Sequence, residues 1–491
     1  MTFGSGGAGP RKLREEGTPF RLLLIGDFSG RALRRAAGEA VPLRRPVKLD
    51  AAELDRAIAT LAPVLPIAGG ETFRPAALDD FHPDHLFARL AMFEEARRLR
   101  KELRTGGGDT FAALEAWLRK ATGAAVGDEL PAPPAASESE ASALERLLGR
   151  APAAAAAATP AGALQGILER AVRPHVTSEG DVQRRAMLQS VLDEALAVQM
   201  RAVLASPALR AAEAAWRGVD RLARAVDTDE TLSIALFDAC PEDLDDALVG
   251  GALERSEVHR LLVDEDRPWS VIAVAWEFGL EVGQLKRLAA LGALAGRSGA
   301  ILLADASLAL LGCASPEQAA DPTRWQAAAG GDAAAFWQAL RESPLASSIG
   351  LVLPRILARL PYGKKTDPID VFPFEELSAA ATRAAAAERL WGSGAFALAH
   401  LHAAAFREQG WSGDVDGTEL EDLPSHTFDD EGESRLAPAG EVAWPERAVE
   451  PLLARGITPL LARRDRAAVR LVRTTSIAVP PAPLVVSTAG V

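Results

Sequence analysis

The sequence predicts an α/β (α+β) chain in which a small N-terminal strand and helix module packs on a larger mixed α/β domain. Three observations predict this. In the second half, apolar runs of strand length, Thr231–Phe237, Ser270–Ala275 and Gly299–Ala304, alternate with segments of helical periodicity. A separate run, Phe20–Ile25, comes near the start and closes on Gly26–Asp27, as a buried strand does at a turn. Between them, residues 105–163 are rich in Ala, Pro, Ser and Glu and poor in large apolar side chains, and so read as a linker. The expected organisation is a disordered N-terminus over 1–18, a module over 19–104, the linker over 105–163 and a globular domain over 164–491.

The elements follow in order. After the strand at Phe20–Ile25, Pro46–Leu49 reads as a second short strand, and Asp50 as the cap of a helix carrying Leu54, Ile58 and Leu61 on one face, ended by Pro63. Pro83 starts the next helix, a favourable place for a residue without an N–H. Leu86, Leu90, Phe93 and Ala96 share one face of it. His82 and His85 straddle its start beside Asp84, a pattern of capping rather than metal ligation. Short helices are expected at Phe111–Lys120 and Ser142–Leu148 within the linker, and an amphipathic one at Leu164–Val172. Longer helices follow over Met187–Leu204, through Leu209 and Trp216, over Val282–Leu294 and over Trp325–Leu340. The run Arg470–Val479 and the tail Leu484–Ser487 are β-prone; they either close the domain's own sheet or present an edge.

Composition excludes several classes of function. The chain has 491 residues, 48% apolar and 25% charged, with 54 Lys and Arg against 67 Asp and Glu for a net charge of −13. No basic stripe suited to nucleic acid is visible. The N-terminus is Gly-rich without an apolar core, so no signal peptide is expected, and no apolar stretch is long enough to span a membrane. Cys240 and Cys313 are too few and too far apart for a disulfide framework or a metal site and read as small core residues of a protein in a reducing cytosol.

The motifs that suggest chemistry fail on spacing. Gly363–Lys364–Lys365–Thr366 lacks the upstream glycine and the hydroxyl directly after the first lysine that a phosphate-binding loop needs. Gly392–Ser393–Gly394 is not a nucleophile elbow. His400 and His402 are two apart, which puts them on different faces of a helix or on one face of a strand, and no nearby Cys or carboxylate completes a ligand set. No catalytic, cofactor-binding or metal-binding residue is assigned, and no enzyme is expected.

Two stretches resemble the contractile sheath proteins of type VI secretion systems, themselves similar to phage tail sheaths. Pro19–Arg31 (PFRLLLIGDFSGR) with Gly26 and Asp27, then Pro46–Asp50 and its helix, then Leu78–Leu86 (LDDFHPDHL) with Asp80, Phe81 and Pro83, resemble the small subunit TssB (VipA/ImpB) in order and content. Residues 164–480 resemble the large subunit TssC (VipB/ImpC). The resemblance rests on Leu192–Trp216 with Arg217 and Gly218, and on Ile349–Glu376 (IGLVLPRILARLPYGKKTDPIDVFPFEE) with Pro354, Arg355, Pro361, Tyr362, Gly363, Phe374 and Glu375. It also rests on Leu390–Ala397 with Trp391 and Gly392, and on Phe406–Trp411 with Trp411. The chain departs from the pattern at Val274–Phe278 and at Gly413–Gly417, and it stops at Val491, short of the large subunit's usual C-terminal region.

The resemblance implies a structural, self-assembling sheath component in the cytoplasm, without cofactor, in which strands of neighbouring protomers complete shared sheets. It implies other sheath subunits as partners, together with inner tube or baseplate proteins and, through the matching helix Leu164–Val172, a disassembly ATPase. An accessory protein that docks on a sheath as nucleator, terminator or baseplate adaptor is the alternative.

Overall fold

The computed structural model describes residues 17–50, 53–105, 110–124, 181–249, 253–263, 267–326, 330–377, 388–430 and 433–484. Its centre is a nine-stranded sheet. The strands are β1 (Phe20–Gly26), β2 (Val47–Leu49), β3 (Leu232–Asp238), β4 (Val271–Phe278), β5 (Ile301–Ala306), β6 (Ile349–Leu353), β7 (Glu419–Leu420), β8 (Ile457–Ala462) and β9 (Val469–Leu471). Their spatial order is β7-β9-β8-β6-β5-β4-β1-β3-β2. The run from β8 to β3 is parallel throughout, and the antiparallel pairs lie at the two ends.

The architecture is therefore α/β. The N-terminal strand lies near the middle of the sheet. β1 pairs along its whole length with β3, Phe20 opposite Leu232 and Gly26 opposite Asp238, and its other side pairs with β4 from Leu22 to Ile25. Its side chains alternate between two cores. Phe20, Leu22 and Leu24 enter one, and Leu23 and Ile25 the other. A strand covered on both faces is apolar nearly throughout, which is why FRLLLI carries no polar alternation; its one charged residue, Arg21, lies over the Trp269 ring.

Besides two short helices, Glu257–Leu262 and Pro316–Ala319, the α-helices of the described residues are α1 (Arg31–Ala36), α2 (Leu54–Leu61), α3 (Pro83–Arg89), α4 (Glu94–Thr105), α5 (Thr110–Ala124), α6 (Asp181–Leu204), α7 (Pro207–Ala225), α8 (Pro241–Val249), α9 (Val282–Ser298), α10 (Asp332–Glu342), α11 (Gly394–Gln409) and α12 (Val449–Ala454). One sheet face is covered by α11 and α7, with α2 to α6 of the same core around them. The other is covered by α8, α9, α10 and α12. Among the described residues no helix is long and apolar enough to cross a membrane.

Four sequence expectations change. The helix expected from Asp50 begins at Leu54 with Glu53 at its cap. The single helix expected after Pro83 is two, broken at Leu90, whose backbone is extended. Side chains hold the break. The Glu71 carboxylate accepts the N–H groups of Ala91 and Met92 at 2.7 and 3.0 Å, and the Arg97 guanidinium donates to the carbonyls of Phe87 and Leu90. The helix expected from Trp325 starts only at Asp332, after Gly331 with φ 123°. Finally, the stretch expected as linker includes α5, whose Leu114, Trp117 and Leu118 are buried against α4 and α6. The expected helices at Ser142–Leu148 and Leu164–Val172 lie outside the described residues, as do residues 125–180 of the expected linker and domain start.

Of the β-prone C-terminal run, Val469–Leu471 closes the domain's own sheet between β8 and β7. Residues 485–487 of the tail lie outside the described residues.

Candidate functional site

Some of the family-motif residues, among them Asp27, Trp216, Tyr362 and Trp411, meet at the seam between the N-terminal segment and the remainder, and others lie within the remainder. At the C-terminal end of β1, Gly26 is the last strand residue, and the Asp27 carboxylate accepts the N–H groups of Arg31 and Ala32, capping α1. Burial pushes the Asp27 carboxyl up to about 6. Beside it, the buried Arg31 guanidinium grips Asp243 on α8 through two bonds of 2.7 and 3.0 Å. Arg35 meets the same carboxylate at 2.6 Å. On the other side of the turn, Ser29 donates its hydroxyl and its N–H to Asp238 at the end of β3.

The second contact is made by α7. Its apolar face buries Trp216 completely, and the indole N–H reaches the carbonyl of Phe28 at 3.1 Å with the two rings 5.2 Å apart. Gly218 faces Phe396 of α11. Glu213 and Arg217, four residues apart on one helix face, pair at 2.7 Å. Glu213 is fully buried and also accepts from Arg359 at 2.7 Å, and Arg359 in turn holds Glu376 at 2.6 Å. Burial opposes the charge on Glu213, but Arg359 and Arg217 outweigh it and keep the carboxyl below its ordinary range.

Tyr362 lies inside this network, fully buried. The Arg359 guanidinium stacks 4.1 Å from its ring, Arg217 donates to its hydroxyl at 3.1 Å, and the His82 ring meets it edge-on at 5.0 Å. Burial, first of all, pushes its hydroxyl up. Pro361 precedes it and accepts the Thr366 hydroxyl. Gly363 bridges Glu375, and the Glu375 side chain accepts the N–H of Lys364 at 3.1 Å. A Cβ at Gly363 would meet the end of the exposed Glu375 side chain, which would have to swing aside. The Gly-Lys string thus wraps a carboxylate of its own chain.

Phe374 is buried against Phe372, which also meets Phe87 of α3 at 5.5 Å. Pro354 ends β6, and Arg355 binds Glu441 through two bonds of 2.6 and 2.8 Å. Trp391 and Gly392 form a short strand antiparallel to Ile356–Leu357. Trp411 donates its indole N–H to the carbonyl of Thr18 at 2.9 Å and packs on Phe20 and Phe406.

The DDF-x-P block builds the other half of the seam. The Asp80 carboxylate accepts the N–H groups of Ala76 and Ala77 and pairs with Arg89; burial works against it, but these partners hold it below the usual carboxylate range. Phe81 is fully buried against Phe73. Pro83 is the first residue of α3, and the His82 ring nitrogen accepts the N–H of Asp84 at 3.2 Å, as expected for a cap. Asp84 reaches across to accept the N–H groups of Asp370 and Val371 at 3.0–3.2 Å.

Sequence reasoning missed Glu213, Arg359, Glu376, Arg31 and Asp243. The available signal was a carboxylate on the apolar face of the helix that carries Trp216, four residues from an arginine. The histidines on α11 point to opposite clefts, as their spacing predicts, but they are not satisfied: Nδ1 of His400 and Nε2 of His402 are shielded from solvent and meet no partner among the described residues. Burial pushes both down to about 4. Asp305, at the C-terminal end of β5, accepts the N–H of Ala395 at 2.8 Å and is pushed by burial up to about 7. Both cysteines are buried thiols. Among the described residues no group of three or more His, Cys, Asp or Glu could hold a metal ion. The chemistry of the seam is mutual neutralisation: guanidinium against carboxylate, backbone N–H against carboxylate, ring against ring.

The family model described as VipB: EvpB/VC_A0108, tail sheath N-terminal domain, matches residues 187–478. The chain is also similar to the type VI secretion system sheath protein TssC1 of Pseudomonas aeruginosa, with 28% identity over 291 residues, 56% of this chain. The match spans 58% of that relative's length.

Proposed function

The chain belongs to the VipB tail-sheath family, and from that premise we propose that it is a fused small and large subunit of a type VI secretion sheath, acting by self-assembly. The observation that carries the reading is the position of β1. A segment merely appended to a large subunit would lie outside the sheet, whereas this one fills the slot between β3 and β4 and brings His82 against the Tyr362 ring and Asp84 against the N–H groups of Asp370 and Val371. On this reading residues 17–124 do the work of TssB and the rest the work of TssC. The covalent tie replaces bimolecular docking with an effective concentration on the order of millimolar. The protein works in the cytoplasm by packing, with no bond making. Its partners are other sheath subunits, then inner tube or baseplate proteins, and a disassembly ATPase through Leu164–Val172, a stretch outside the described residues.

The second reading, an accessory protein that docks on a sheath without propagating it, draws support from the sheet's margins. β2 has three residues and β7 two, short edges of the kind that resist strand addition. Negative-stain microscopy of the purified chain, alone and with separate small and large sheath subunits, tests both. Tubes formed by the chain alone support the fused subunit. Capped or shortened tubes, formed only with the other subunits, support the accessory protein, and monomers in every mixture would overturn both.

A further inference from the structure

We propose that a cleft between α7 and α11 is a binding site for a single carboxylate group, with Arg221 as its principal ligand. The cleft is lined by Arg217, Arg221, Ser393 and His400 over an apolar floor that includes Leu357 and Phe396. It holds about 20 Å3 of water-sized space, which admits one small planar group and excludes a nucleotide or a folded peptide.

Charge supplies the second argument. The basic side chains that follow one another along this part of α7 are otherwise committed: Arg217 to Glu213 and Tyr362, and Arg224 to Asp220. Arg221 forms no ion pair among the described residues. One of its terminal nitrogens is shielded from solvent without a partner, and the other lies 3.4 and 3.5 Å from the carbonyls of Ala358 and Leu357, at the long limit for a hydrogen bond. Burial brings the guanidinium down to about 10, so it stays charged at neutral pH. A largely buried cation whose one nearby acid, Asp220, is paired with Arg224 and which has Arg217 as a like-charged neighbour is costly, and an entering carboxylate recovers that cost through charge-assisted bonds to the fork. Nδ1 of His400, also shielded and unpaired, lies in the same lining. Two unpartnered polar groups from two helices facing one cleft make a site, where either alone would make an oddity. The carboxylate comes from solution or from an acidic side chain of a second copy of this net-negative chain.

The test uses the full chain and formate, the smallest carboxylate. At constant ionic strength, replacing chloride with formate raises the thermal midpoint of the wild type and saturates as a single site does. Phosphate, which is bulkier and not planar, raises it less. Arg221→Gln weakens formate binding at least ~10-fold, and Arg221→Lys, which keeps the charge without the fork, falls between. If formate stabilises the wild type no more than chloride, the site holds water alone and the proposal fails. It also fails if Arg221→Gln keeps the full formate response. Should neither variant fold, the wild-type titration and its formate-over-phosphate preference decide alone. Sedimentation with formate identifies the source. Loss of self-association points to a side chain of a second copy, and unchanged association to a free carboxylate; both outcomes support the site.

Discussion

The indole nitrogen of Trp216 donates to the main-chain carbonyl of Phe28 at 3.1 Å, joining residues 188 positions apart at the point where the first strand turns out of the sheet. Both residues are fully buried. Trp216→Phe keeps most of the volume but strands a buried carbonyl, and is expected to cost about 1–2 kcal/mol. Trp216→Ala adds a cavity, for about 3–5 kcal/mol in all. Urea unfolding of the two variants, with unchanged slope, checks the difference.

Glu213 neutralises two guanidinium groups at once, Arg217 and Arg359. Glu213→Ala leaves Arg217 without its acid and Arg359 with Glu376 alone. The expected loss is about 3–5 kcal/mol, the usual result of breaking a buried pair from one side. Replacing Glu213, Arg217, Arg359 and Glu376 together by apolar residues of similar volume, so that no charge of the network is left unpaired, costs less than the single change, which a shared denaturation series reads directly.

Asp305 gives a pH signature. Its folded pKa of about 7 lies above the ordinary value of 3.8, so the folded state holds a proton that the unfolded state has lost between these two values. The contribution is therefore most favourable at acid pH and is lost as pH rises toward 7. Relative to Asp305→Asn, the wild type gains up to ~4 kcal/mol as pH falls from about 7 to 4. His400 and His402, pushed down to about 4, act in the opposite sense and lose stability over a similar range, so the net wild-type profile is flatter than either component. Stability measured against pH for wild type and Asp305→Asn isolates the carboxyl.

Gly363→Ala places a methyl group on the Glu375 carboxylate. The contact is with the end of an exposed side chain that can move, so the expected cost is at most about 1 kcal/mol, mainly the loss of the Glu375 bond to the Lys364 N–H. The same change with Glu375→Ala recovers part of the loss, and a double-mutant cycle measures how much.

If the N-terminal segment is the fused small subunit, supplying residues 1–124 and 181–491 as two chains yields a copurifying pair. Residues 181–491 produced alone leave β3 and β4 without the strand between them and are recovered as aggregate. Soluble, monomeric 181–491 with native-like spectra would count against the fused-subunit reading.

Four of the parallel strands were legible to within a few residues, because burial on both faces writes a strand as a mostly apolar run; β6 and β8 were not read as strands. Phe20–Ile25, Thr231–Phe237, Ser270–Ala275 and Gly299–Ala304 all lie on observed strands. Their spatial order was not legible. Nothing local in FRLLLI says that its neighbours lie at Leu232 and Val271, since pairing partners leave no periodic trace in a single strand. The break at Leu90 was hidden for a related reason: the apolar face continues through it, and the residues that hold it open, Glu71 and Arg97, look like ordinary surface charges. At the seam, the aromatic residues stood out by type, while Glu213, Arg359 and Glu376 became visible only once the 349–376 block folded over α7.

The central placement of the first strand sets a timetable for synthesis. Leu22 to Ile25 leave the ribosome early, but the second of their two flanking strands is complete only at Phe278. At ordinary elongation rates the interval is on the order of tens of seconds, during which a run of four apolar residues lacks one of its two flanking strands. The nascent chain carries an exposed apolar segment for that interval. Its maturation is governed by how long the earliest-made residues wait for the latest of their neighbours.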